Sequence, residues 1–269
     1  VNPRMIGRTT RILATLAALA TASSSRANLL VNGDFEAAPI LGPGQSGVPI
    51  GQAKAIFSDP TTPLYDVAIS GISGWTYATP VENGTGSDHG LARRNAEFGR
   101  PAGGQSAFIN NWGRMMSQTV AVPLRAGDVL EAAIDFGTLG DDADGGRAGV
   151  FYLVAGQADP SDPDQFAAGS IILAQISAGN PTWSQFTPDV VVGNDVYTRL
   201  SLSYTVQAAD VALGLPITIA FKTVAPSVGP TFWDDASLTV TPVPEPSALG
   251  LAGVGAASLA ALAARRRRP

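Results

Sequence analysis

The chain has 269 residues, only 14% of them charged, with seventeen basic side chains against twenty-two acidic ones and no cysteine. Without cysteine there are no disulfides, thiolate metal sites or cysteine nucleophiles, so any core must hold by packing alone. Eight of the basic residues (Arg4, Arg8, Arg11, Arg26 and Arg265 to Arg268) sit at the two ends, which leaves the stretch between them at a net charge of −13, nine against twenty-two; such a surface repels phosphate backbones and anionic lipid and argues against nucleic acid as a partner.

Arg4, Arg8 and Arg11 precede an apolar run over residues 12–22, followed by Ser25-Arg26-Ala27 with small residues at the two positions a signal peptidase reads. This pattern predicts a secretory signal peptide over residues 1–27 and a mature chain that begins at Asn28. The apolar run is too short for a stable anchor. Between Asn28 and Pro246 lie roughly 219 residues, enough for one large all-β domain with a substantial core.

Residues 28–36 read as a short apolar strand that breaks at Asn32-Gly33, where a positive φ is easily accepted. Phe35 and Glu36 then point to opposite sides. Residues 37–63 are rich in Pro, Gly and Ala and read as a long surface loop. Residues 72–77, with Gly74-Trp75, form a second strand, and residues 81–104, carrying His89, Arg93, Arg94, Glu97 and Arg100, read as polar loop. Better patterning starts at Gln105. Residues 106–110, 116–122 and 129–136 are three segments with apolar alternation. In the third, Leu130, Ala132, Ile134 and Phe136 share an apolar face opposite Val129, Glu131, Ala133 and Asp135, the signature of a half-buried strand. Further strands are expected at 148–155, 171–176, 184–192, 197–206, 217–224 and 231–240. Some ten strands without an amphipathic helix predict an antiparallel β-sandwich with jelly-roll topology over residues 28–241.

The motif Asn28-Leu-Leu-Val-Asn-Gly-Asp-Phe-Glu36, then Gly74-Trp75, then Phe232-Trp-Asp-Asp-Ala-Ser-Leu238 resembles the opening and closing strands of galactose-binding-like β-sandwiches, which include many carbohydrate-binding modules. The resemblance implies that first and last strands meet, which would join Glu36 to Asp234 and Asp235. Carboxylates that meet repel one another unless a cation lies between them, and Ca²⁺ accepts six to eight oxygens at roughly 2.3–2.6 Å. Glu36, Asp234 and Asp235 are therefore the candidate ligands of a structural calcium ion. The plainer alternative is that they face water or cap turns.

Residues 140–146 contain three aspartates but lack an acid at Gly140 and a glutamate at the closing position, Phe151, so an EF-hand is excluded. Asp159, Asp162 and Asp164, interleaved with Pro160 and Pro163, read as a flexible acidic turn. His89 is the single histidine and lies in no Gly-x-Ser-x-Gly or His-Glu-x-x-His context, so no catalytic residue is assigned. Of the four tryptophans, Trp75 and Trp233 read as core, whereas Trp112, flanked by Asn110 and Asn111, and Trp183 are candidate glycan contacts.

At the C-terminus Val243, Pro244, Glu245 and Pro246 are followed by eighteen uncharged residues, 247–264, and then by Arg265, Arg266, Arg267 and Arg268. At about 1.5 Å of rise per residue the uncharged run makes a helix of roughly 27 Å, close to a ~30 Å hydrocarbon core. The arginines place its end on the cytoplasmic side and the body across the membrane. This order of box, helix and basic end over residues 242–269 resembles the PEP-CTERM sorting tails of Gram-negative bacteria. The resemblance implies a transient transmembrane anchor, cut at the box by an exosortase-type membrane transpeptidase, and delivery to the cell envelope or extracellular matrix. The expectation is thus a non-enzymatic exported protein that binds exopolysaccharide or serves structurally; a secreted glycan hydrolase and a protein–protein adhesion domain are the alternatives.

Overall fold

A computed structural model describes residues 27–37, 67–68, 72–77, 89–92, 104–109, 113–138, 148–179, 187–193, 196–224 and 231–243, with the backbone alone at 67, 68, 89, 90 and 92. The strands are β1 (Val67–Ala68), β2 (Thr76–Tyr77), β3 (His89–Ala92), β4 (Ser106–Ile109), β5 (Met115–Val120), β6 (Val129–Thr138), β7 (Ala148–Ala155), β8 (Ala158–Asp159), β9 (Asp162–Phe166), β10 (Ile171–Gly179), β11 (Val190–Val191), β12 (Thr198–Thr205), β13 (Ile217–Thr223) and β14 (Thr231–Thr241). The first sheet has the order β1-β3-β4-β14-β6-β12 and the second β11-β10-β7-β13-β5-β2, while β8 and β9 form a separate hairpin. All pairs are antiparallel except β10 with β11. The all-β sandwich expected from the strand rhythm is what forms.

Alternation explains which faces meet. In β6, Leu130, Ala132, Ile134 and Phe136 are all buried, and β12 and β14 supply Leu200, Leu202, Trp233 and Leu238 to the same core. From the other sheet come Phe151, Leu153, Ile217, Ile219 and Phe221. A chain of rings runs through the middle, with centroids 5.0 Å apart for Phe35 and Trp75, 5.2 Å for Trp75 and Phe221, 4.9 Å for Phe221 and Trp233, and 4.6 Å for Trp233 and Phe136. Such contacts add to the burial of large apolar surfaces. Trp75 and Trp233 are therefore core residues, and their indole N–H groups donate to the Asn32 carbonyl and the Thr231 hydroxyl.

Four expectations change. Residues 28–36 bend rather than run as a strand, because Asn32 and Phe35 both take positive φ (53° and 56°); the segment still adds the bond from Leu29 N to Leu238 O. The polar stretch around His89 contains β3, whose Leu91 is buried. Val81, Leu91 and Phe98, widely spaced in a Gly- and Arg-rich stretch, left too little periodicity to read. Of the strand expected at 184–192, residues 184–186 lie outside the described residues, and within 187–192 strand is confined to Val190–Val191. The acidic turn at 159–164 is a hairpin, held because Phe166 and Ala158 pack against Met115, Ala220 and Tyr152 on the outer face of the second sheet.

Among the described residues one helix, α1 (Ala208–Leu213), joins β12 to β13 and buries no residue, so its lack of an amphipathic pattern in the sequence follows. Among the described residues no helix is long and apolar enough to cross a membrane. The expected signal peptide, apart from Ala27, and the tail from Pro244 onward, with its helix 247–264 and Arg265 to Arg268, lie outside the described residues.

Candidate functional site at the joined chain ends

The segment before β1 lies along β14, and Asn28 makes the join: its Oδ1 accepts the N–H of Leu30 and of Leu238 (3.1 and 3.0 Å), and its Nδ2 donates to the Ala236 carbonyl at 3.1 Å. Ala236 N donates to Gly33 O at 2.8 Å. Gly33 is required by closeness, since a Cβ there would stand 2.2 Å from the Ala236 carbonyl oxygen. β14 bulges between Asp234 and Ser237, and Asp235 takes φ 48°. A bulge re-aims side chains, and here it turns Asp235 outward.

Beside this join lies a shallow polar groove of about 720 Å³ whose lining includes Asn28, Asn32, Asp34, Asp135, Arg199 and Asp235. Arg199 projects from the outward face of edge strand β12 across β6. Its guanidinium donates to Asp135 Oδ1 at 3.0 Å, to the Asp235 carbonyl at 2.7 Å and to Ser237 Oγ at 3.2 Å. Three strands are thereby tied by one side chain. Asp135 is 8% exposed, so the cation compensates a carboxylate that has lost most of its water.

The ends meet as the resemblance implied, and the structure describes all three candidate calcium ligands. Glu36 is exposed, and its carboxylate accepts the backbone N–H of Gln105 (2.5 Å) and its side-chain amide (3.5 Å). Asp234 is buried and accepts the N–H of Asp235 at 2.8 Å. Among the described residues no three His, Asp or Glu side chains are grouped to hold a metal ion. Trp112, Trp183, Asn110 and Asn111 lie outside the described residues, as does the 140–146 loop.

A second polar assembly sits on the hairpin. Asp164, 7% exposed, accepts Arg114 Nη1 at 2.6 Å and Met115 N at 2.8 Å, while Lys222 Nζ donates to its carbonyl at 2.7 Å. This pins the hairpin over the sheet, and the burial of Tyr152 beneath it pushes that phenol above its ordinary 10.0. Asp189, directly before β11, is held below the usual carboxylate range by the Ser177 hydroxyl and backbone N–H. Neither Arg199 nor Asp164 was singled out from the sequence as a site. The signal for Arg199 was there: it is the one charged side chain in β12.

Comparison with known proteins gives first the class. The chain is similar to a Stig cyclase, Fisc, from Fischerella sp. TAU in complex with an indole ligand, at 15% identity and a TM-score of 0.53 over 82% of this chain and 100% of that one. An apo cyclase from Fischerella sp. gives 16%, 0.51, 82% and 100%. The carbohydrate-binding module TmCBM61, in complex with beta-1,4-galactotriose, gives 11% and 0.42 over 80% and 99%. The cyclases support the β-sandwich; at such identity the likeness is one of fold. Among curated proteins none matches the chain. The more particular finding is that residues 242–268 match the PEP-CTERM protein-sorting motif. The chain carries this motif at its C-terminus, one residue after the last strand ends at Thr241.

Proposed function

We propose that this is a non-enzymatic exported protein whose sandwich is passed through the cytoplasmic membrane, held there by its tail and released at the Val243 to Pro246 box by an exosortase-type transpeptidase into the envelope or matrix. One observation carries this reading: a cysteine-free, all-β domain runs without a linker into a matched sorting motif. Deletion of residues 244–269 is expected to abolish surface delivery. Unchanged delivery of the truncated chain would remove the proposal.

The groove of Asn28, Asn32, Asp34, Asp135, Arg199 and Asp235 offers amides, carboxylates and a guanidinium in one concavity, which suits the hydroxyl groups of a neutral polysaccharide. The two core tryptophans are buried and supply no stacking platform there. A glycan array beside a reducing-end release assay distinguishes the possibilities. Binding without turnover supports a polysaccharide-binding module, turnover makes it a hydrolase, and a blank array supports the structural or adhesive alternative.

A further inference from the structure

Val243, the first residue of the sorting box, is held by the folded body. Asp128, 3% exposed in the turn between β5 and β6, accepts Val243 N–H on Oδ1 at 3.0 Å and Arg125 N–H on Oδ2 at 2.8 Å. Gly127, at φ 94°, lets Val243 lie close: a Cβ at that position would be 2.6 Å from Val243 Cγ2. The turn is itself fixed to β12's end, since Gly127 N donates to Val206 O and Val206 N to Asp128 O, both at 2.8 Å. Thr241 pairs with Val129 and Val129 with Thr205, so three strand ends converge where the tail leaves.

We propose that Asp128 is a latch on the sorting box, through which the folded sandwich withholds the box from the enzyme that removes the tail. This rests on the processing reading given above. Proline has no backbone N–H, so Val243 and Glu245 are the two backbone donors in Val-Pro-Glu-Pro. The body occupies the first of them. Enzymes and receptors that take an extended segment draw on its main-chain hydrogen bonds, so the processing enzyme and Asp128 compete for the same donor. The latch depends on strand register and exists only in the folded chain. It also sets Val243 against the domain edge, with Pro242 as the single residue between Thr241 and Val243.

The test follows tail removal by pulse-chase in the host for the full chain, for Asp128→Ala, and for a chain with a flexible Gly-Ser insertion between Pro242 and Val243. The insertion leaves Asp128 and its turn untouched while giving the box slack, so it serves even if Asp128→Ala fails to fold. Both variants are expected to lose the tail faster, by about tenfold if one hydrogen bond to an ionised carboxylate is what the enzyme must displace. An insertion variant processed at the parent rate or slower overturns the latch. Absence of tail removal in all three chains overturns the processing reading itself, and the latch with it.

Discussion

Arg199 shows how much rests on single side chains at the joined ends. Its guanidinium serves a carboxylate on β6, a carbonyl in the β14 bulge and a hydroxyl beyond it. Arg199→Met keeps the stem and removes the charge; it should cost about 1–3 kcal/mol, the range for stripping a partner from a buried polar group, read from urea melts against the parent chain. Gly33→Ala forces a methyl into the Ala236 carbonyl and is expected to cost a similar ~1–3 kcal/mol. Because Glu36 and Asp234 already accept backbone N–H groups, melting curves in calcium chloride and in chelator should coincide; a rise of several degrees with calcium would establish a shell that the sequence resemblance implied. That resemblance correctly joined the chain ends, whereas motif order says nothing of which donor each carboxylate oxygen meets.

At the scale of elements, strands with a long alternating run were legible and short ones were not. β6 alternates cleanly along Leu130 to Phe136, and its inward set is the one that packs. β3 contributes Leu91 to the main core beside β4, and the β8–β9 hairpin packs through Ala158 and Phe166 on Met115 and Ala220; no local window contains these distant partners. Asp164 is the hairpin's polar anchor, so Asp164→Ala should open residues 158–166 to limited proteolysis while the two sheets keep their melting transition; an unchanged digestion pattern would show that the hairpin holds without this carboxylate. The tyrosines beneath and beside these elements predict the alkaline limit. Tyr152 is raised by burial, and Tyr204 by burial and then by the Asp210 carboxylate that accepts its hydroxyl. The folded state favours the neutral phenols, so their contribution is complete below the ordinary value of 10.0 and falls away as pH rises through the higher folded values. Stability measured against pH should decline above about pH 10, and more gently in Tyr204→Phe.

For the whole molecule, the absence of cysteine leaves the aromatic chain as the unifying feature of the core. Trp233 is fully buried between Phe136 and Phe221, and Trp233→Ala is expected to cost about 3–5 kcal/mol, a large fraction of a domain's ordinary stability of about 5–15 kcal/mol. The chain's function is more legible at its ends than in its middle: the sandwich is a scaffold shared with proteins of other activities, whereas the C-terminal stretch matches a sorting motif directly. Physical patterning accounts for this difference, since a box, an uncharged run and a basic end are local in sequence and a binding groove is not. The most direct test is the intact mass of the protein recovered outside the cytoplasmic membrane. A mass corresponding to a chain that starts at Asn28 and ends within the Val243 to Pro246 box is the predicted result; full-length protein in the cytosol, with both ends retained, would contradict it.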